Sequence, residues 1–145
     1  MPWPAGRRCE ESNYIMIGGT LLFVIATYAL MVWAFFWAKK RYFHIPVMAS
    51  IMLIDLFFPV YLVLNKDWYR RLIEQEEILS FMIWMHFILV LVLYALYVLQ
   101  ILTARKLLKG DDSVRADHRA QGKGILIARA LVILSAAMLI EPVDQ

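Results

Sequence analysis

The chain has 145 residues, of which 62% are hydrophobic and 19% are charged, and its mean hydropathy is +0.64. This composition excludes a soluble globular domain, and four membrane spans with their connections would use nearly every residue, which leaves no separate catalytic domain. The net charge of +3 informs membrane topology and is not evidence of a nucleic-acid partner. The only cysteine, Cys9, excludes an intramolecular disulfide and therefore quinone-linked thiol oxidase chemistry.

The first apolar stretch follows a short polar segment that carries Arg7 and Arg8, an arrangement that resembles a signal peptide. No charge falls between Glu11 and Lys39, however, and no small-residue cleavage site ends the run. The run is therefore long enough to be a retained membrane span.

Three further apolar stretches are each close to the roughly 20 residues that cross a bilayer. The last is the shortest, and we expect its helix to begin earlier, at the interface, within the segment HRAQGKG. The predicted fold is an all-α integral membrane four-helix bundle that forms one domain, residues 1–145. Its predicted spans are residues 14–38, 42–64, 78–103 and 124–140.

Basic residues are distributed unevenly over the connections between these spans. The positive-inside rule places the richer side in the cytoplasm, so both termini are predicted on the non-cytoplasmic side of a bacterial inner membrane. Aromatic residues directly before Lys39 are typical of the inner aromatic belt. The richer side carries Lys39, Lys40, Arg41, Arg105, Lys106, Lys109, Arg115, Arg119 and Lys123, and the poorer side carries Arg7, Arg8, Lys66, Arg70 and Arg71.

Between the second and third spans lies the segment KDWYRRLIEQEE, residues 66–77. Its apolar residues recur at helical spacing among charges, which predicts a helix along the outer membrane surface. A solvated loop anchored by Trp68 explains the pattern equally well. Neither interpretation assigns chemistry to this segment.

Ionisable residues inside spans are energetically unfavourable and therefore indicate function or specific pairing. Asp55 lies within the second span and Arg129 within the fourth. His44 precedes Asp55 by eleven residues, about three helical turns, and His118 precedes Arg129 by the same number. The two residues on each helix therefore share a face. If the two faces meet, His44 is level with His118, and Asp55 is level with Arg129 about 16 Å deeper. This arrangement requires a helix that is continuous through the glycines at 122 and 124.

For the deeper level, Asp55 and Arg129 are predicted to neutralise each other and to fix how the helices pack. A proton or ion relay is the alternative, but it needs a chain of polar groups across the membrane, and the spans contain few.

For the shallower level, two neutral imidazoles that face each other could ligate the iron of haem b or a copper ion. Nearby glycines would let a macrocycle approach the backbone. The alternative is that His44 and His118 are interfacial residues beside basic clusters.

The third histidine, His86, lies in the third span, too far from the basic side to join the other two. Met82 and Met85 are on the same side of the helix, so a soft copper site is conceivable. A hydrogen-bonded histidine among packing methionines is the simpler interpretation.

Three segments resemble the bacterial domain-of-unknown-function-420 family of small four-helix membrane proteins: KKRYFHIP, FMIWMHFILV and ADHRAQGKGILIAR. The resemblance covers residues 39–142. Members of that family are implicated in the maturation of haem-copper terminal oxidases, and the resemblance implies that His44, His86 and His118 are candidate haem or copper ligands. The sequence VYLVLNKDW departs from the family, which tends to carry a further histidine there, so His86 lacks its expected partner.

The resemblance therefore implies a non-catalytic protein of the oxidase-assembly type, with haem b or copper held by His44 and His118. The alternative is an accessory or structural subunit of a larger complex, either a terminal oxidase or another complex of the respiratory chain. An electron-transferring quinone oxidoreductase component would need two stacked haem sites or a soluble donor domain, which the sequence does not contain. The expected partners are the lipid bilayer and that complex, with no nucleic acid.

Overall fold

The computed structural model describes residues 6–65 and 77–139, and over these ranges the protein is all-α. Each of the four long helices within them contains a segment long and apolar enough to cross a membrane. The chain is therefore a multi-pass four-helix membrane protein, as predicted. The helices are α1 (Gly6–Phe36), α2 (Arg41–Asn65), α3 (Glu77–Leu108) and α4 (Arg115–Met138). The segment predicted at the outer surface lies outside the described residues, apart from Glu77.

The helices form two hairpins, α1–α2 and α3–α4. α3 and α4 pack along each other most extensively, and α1 contacts both α2 and α4. The tight turn after α3 depends on Gly110, whose φ of +92° lies in the left-handed region. The amide N–H of Asp111 then donates to the carbonyl of Lys106 and that of Gly110 donates to Leu107, which satisfies the last carbonyls of α3.

A short 3₁₀ turn, Asp112–Val114, leads from this connection into α4. Asp111 caps it by accepting hydrogen bonds from the backbone N–H and the hydroxyl of Ser113. These bonds to the carboxylate hold the pKa of Asp111 below its usual range. The cap and the glycine turn together bring α4 back against α3.

α4 begins at Arg115, well before the predicted fourth span, and continues through both glycines. A Cβ atom on Gly122 would lie 3.0 Å from Cε2 of Phe35, so the missing side chain lets α1 approach α4 closely. A Cβ on Gly124 would meet Leu96 at an ordinary 3.8 Å. Of the two glycines, Gly122 is the one that the packing requires.

The core lies on the facing sides of the helices, whereas most large apolar side chains point outward, as expected for a protein whose solvent is lipid. The buried apolar residues are Met31, Ala34, Met48, Ile51, Leu93, Tyr97, Ile125 and Ala128. Polar side chains interrupt this core at three levels along the bundle.

Candidate functional site

A cavity of about 830 Å³ opens at the end of the bundle that carries the α1–α2 and α3–α4 connections. We call it the basic-end cavity. The end of α1, the first half of α2, the last turns of α3 and the first turns of α4 line it. His44 and His118 are both among the lining residues, so the structure places these two predicted site residues at one cavity.

The wall of this cavity is apolar between the helices and cationic at its edge. Phe36, Ile45 and Leu108 line it and are also exposed on the outside of the bundle, so the cavity is continuous with the lipid-facing surface. The cationic lining residues are Lys39, Arg41, Arg105, Arg115, Arg119 and Lys123. The cavity thus suits a ligand with an apolar body and acidic groups.

His44 is held by its Nδ1 atom, which lies 2.9 Å from the backbone carbonyl oxygen of Ala34. A carbonyl can only accept, so Nδ1 carries the proton and donates it. The neutral imidazole then has its lone pair on Nε2. A ring oriented by a backbone carbonyl in this way is the usual arrangement of a metal-ligating histidine.

His118 is held at both ring nitrogens. Nε2 of Gln100 lies 3.2 Å from Nε2 of His118, and Oγ1 of Thr103 lies 3.1 Å from Nδ1 of His118. The amide of Gln100 donates, so His118 accepts at Nε2 and donates from Nδ1 to Thr103, which in turn donates to Oε1 of Gln121 at 2.8 Å. His118 must therefore exchange the bond from Gln100 before its Nε2 can bind a metal.

Gln100 itself is only partly satisfied. Its side chain lines the basic-end cavity and the residue is 5% exposed, yet its Oε1 atom has no hydrogen-bond partner among the described residues. A buried acceptor without a donor is unfavourable by about 1–3 kcal/mol. The cavity wall therefore contains an acceptor that a ligand could satisfy.

Arg129 forms the second polar level. Nη2 of its guanidinium lies 2.8 Å from Oδ1 of Asp55, and Arg129 is 2% exposed. The same nitrogen, Nη2, donates to the hydroxyl of Thr27 at 2.9 Å, and Nη1 donates to the carbonyl of Thr27 at 3.3 Å. The structure thus pairs the predicted residues Asp55 and Arg129 and adds a partner from α1.

Asp55 is completed by two tyrosines of α3. The hydroxyl of Tyr97 donates to Oδ2 of Asp55, and the hydroxyl of Tyr94 donates to its backbone carbonyl oxygen at 2.9 Å. That carbonyl is available because Pro59, four residues later in α2, has no N–H to donate to it. We call Thr27, Asp55, Tyr94, Tyr97 and Arg129 the central polar cluster, to which all four helices contribute.

His86 forms the third level, away from the basic-end cavity. Its Nδ1 lies 2.8 Å from Oγ of Ser135, which joins α3 to α4. Met85 beside it is 46% exposed. Over the described residues, no group of three or more His, Cys, Asp or Glu side chains could hold a metal ion. The hydrogen bond to Ser135 is the contact that the structure gives to the His86 ring.

Sequence reasoning missed the roles of Thr27, Pro59 and Gln100. The proline had a detectable signal, because a proline four residues after an intramembrane aspartate predicts a free carbonyl at that aspartate. The other two had none, since an isolated threonine or glutamine in a span does not reveal its partner.

No protein-family model, curated protein or solved structure matches this chain.

Proposed function

We propose that this chain is a non-catalytic protein of a bacterial inner membrane that binds haem b in the basic-end cavity and acts in the maturation of haem-copper terminal oxidases. In this proposal the basic end faces the cytoplasm and the termini lie on the other side. The observation that supports it is that His44 and His118, on two different helices, line the same cavity.

The cavity suits haem in three respects. Its volume of about 830 Å³ is in the range of cofactor pockets, roughly 300–1,000 Å³. Its apolar wall suits the macrocycle, and the cations at its edge suit the two propionate carboxylates. When bound, haem would supply a redox-active iron, and His44 and His118 are the residues that would hold it.

The two histidines are not equivalent in this site. His44 is oriented through Ala34 with the Nε2 lone pair free, so it is the ligand that is ready to bind. His118 accepts from Gln100 at the corresponding atom, so it would bind second or more weakly.

Copper fits less well than haem. A single copper ion needs a few donors within bonding distance, whereas the cavity is large, largely apolar and contains two imidazoles. The geometry of the cavity therefore agrees better with a protein that delivers haem than with one that delivers copper.

The test is to purify the full chain in mild detergent, add haem and record oxidised and reduced absorption spectra together with metal analysis. We expect a Soret band at equimolar haem, lost in His44→Ala, weakened in His118→Ala and retained in His86→Ala. The last variant is the matched control, because His86 is an intramembrane histidine outside the cavity.

Two results would oppose haem binding. Equal loss in all three variants would show that the band reports folding alone. A colourless, metal-free protein that copurifies in fixed ratio with a large membrane complex would instead support an accessory subunit of that complex.

A further inference from the structure

Two exposed cations of α4, Arg119 and Lys123, lie just before the predicted fourth span. Lys123 lies about 12 Å along the helix from Arg115 and directly precedes the predicted fourth span, residues 124–140. Arg119 lies one turn nearer to the basic end, and both line the cavity.

These cations have no counter-ion among the residues that the structure describes. Of the six basic residues that line the cavity, only Arg115 forms an ion pair there, at 2.5 Å from Asp112. Arg129, by contrast, is fully paired within the central polar cluster. Several unpaired cations around one partly apolar cavity attract an anionic ligand.

Further cations at the cavity come from the other hairpin, α1–α2. Lys39 in the α1–α2 connection and Arg41 at the start of α2 also line it, on the other hairpin. Cations on both hairpins around one opening attract a group with more than one negatively charged oxygen, and a phosphate diester provides two that share its charge. Basic pockets between membrane helices are typical sites for lipid head groups.

The rest of the lining fits the other parts of a phospholipid. Exposed Phe36, Ile45 and Leu108 connect the cavity to the surrounding acyl chains. Oε1 of Gln100 is a buried acceptor that lacks a donor, and a head-group hydroxyl is such a donor. Free inorganic phosphate would leave the apolar wall of the cavity unfilled.

We propose that the basic-end cavity binds an anionic phospholipid with a hydroxylated head group, as in phosphatidylglycerol, through Lys123 and Arg119 of α4 and Lys39 and Arg41 of the other hairpin. The acyl chains leave the cavity past the exposed apolar residues at its edge. This proposal does not depend on haem binding. The lipid and haem would exclude each other, because they would fill the same space.

The experiment titrates phosphatidylglycerol into the full chain in phosphatidylcholine-containing detergent micelles and follows bound lipid by native mass spectrometry. One double variant combines Arg119→Gln and Lys123→Gln. The control variant combines Lys106→Gln and Lys109→Gln, which removes two cations at the same end of the bundle that do not line the cavity. We expect the cavity pair to weaken binding about 30-fold, from about 1 kcal/mol per cation, and the control pair to change it less than about threefold.

Restoring charge should restore binding: Lys123→Arg should bind phosphatidylglycerol within about threefold of the wild type, since head-group attraction is largely a charge effect. Equal weakening by both double variants, or equal affinity of the wild type for phosphatidylglycerol and phosphatidylcholine, would overturn the proposal. Displacement of the lipid by equimolar inorganic phosphate would also overturn it, because the site would then recognise the anion alone.

Discussion

The hydroxyl of Tyr94 donates a 2.9 Å hydrogen bond to the backbone carbonyl oxygen of Asp55, the carbonyl that Pro59 leaves without its helical partner. A residue of α3 thus supplies a bond that α2 cannot make for itself. Because the side chain of Asp55 also binds Arg129 and Tyr97, the main chain and the side chain of one residue join three helices.

This relationship predicts that the effects of Tyr94→Phe and Pro59→Ala on stability are not additive, which a double-mutant cycle tests. Tyr94→Phe leaves the carbonyl of Asp55 unpaired and should lower the free energy of unfolding by about 1–3 kcal/mol. In a Pro59→Ala background the new N–H can pair with that carbonyl, so the same change should have a much smaller effect. Unfolding in mixed detergent micelles measures the effect of Tyr94→Phe in the wild type and in Pro59→Ala. An equal effect in the two backgrounds would contradict the hydrogen bond from Tyr94 to the carbonyl of Asp55.

The ion pair between Asp55 and Arg129 predicts a strong asymmetry between single and double variants. Asp55→Leu alone leaves the buried guanidinium without its carboxylate and should lower the free energy of unfolding by about 3–5 kcal/mol. Asp55→Leu combined with Arg129→Leu should be less harmful than the sum of the two single changes.

The exposed pair of Asp112 and Arg115 is the control for that measurement. Both side chains are mostly exposed, at 72% and 61%, so Asp112→Ala should change stability little. If Asp112→Ala proved as harmful as Asp55→Leu, the effect could not be assigned to burial of the ion pair.

The glycines of α4 provide a matched pair for packing. Alanine is favoured over glycine in a helix by about 1 kcal/mol, and at position 124 the added methyl group meets Leu96 at an ordinary distance. Gly124→Ala should therefore raise the free energy of unfolding. Gly122→Ala brings its methyl group within 3.0 Å of Phe35 and should be less stable than Gly124→Ala.

Thermal unfolding of the two variants in the same detergent checks this order. Repeating the comparison with Phe35→Leu should remove the difference, because the ring that the methyl group meets is then absent. A difference that persists in that background would place the cause elsewhere than in the approach of α1 to α4.

The hydrogen bond from Gln100 to His118 predicts a change in haem coordination. Gln100→Leu removes the donor that occupies Nε2 of His118, so this nitrogen should become available to hold the iron together with His44. We expect a larger low-spin fraction in the visible spectrum of the haem-loaded variant. An unchanged spectrum would show that Gln100 does not limit access to His118, whereas the absence of haem binding in the wild type would reject the proposed function itself.

Much of the bundle could be predicted from helical periodicity. The eleven-residue spacings predicted that Asp55 and Arg129 lie at one level and His44 and His118 at another, and the structure contains an ion pair between the first two and one cavity lined by the second two. The reason is that residues three turns apart share a face whatever the rest of the fold does. The start of α4 was less predictable, since a membrane span does not show how far its helix extends beyond the bilayer.

The sequence by itself determined four membrane helices, the end of the bundle that carries the excess of basic residues, and the pairs of polar residues that share a helix face. Only the tertiary structure decided which side chains bind each other: Tyr94 and Tyr97 bind Asp55, and Thr27 binds Arg129. It also decided that the amide of Gln100 donates a hydrogen bond to Nε2 of His118. Hydropathy and periodicity act along one chain segment, whereas a hydrogen bond between helices depends on how two faces rotate and slide against each other. The packing between helices, such as the close approach of Phe35 to Gly122, determines this rotation and sliding. The sequence of a single span does not contain that information.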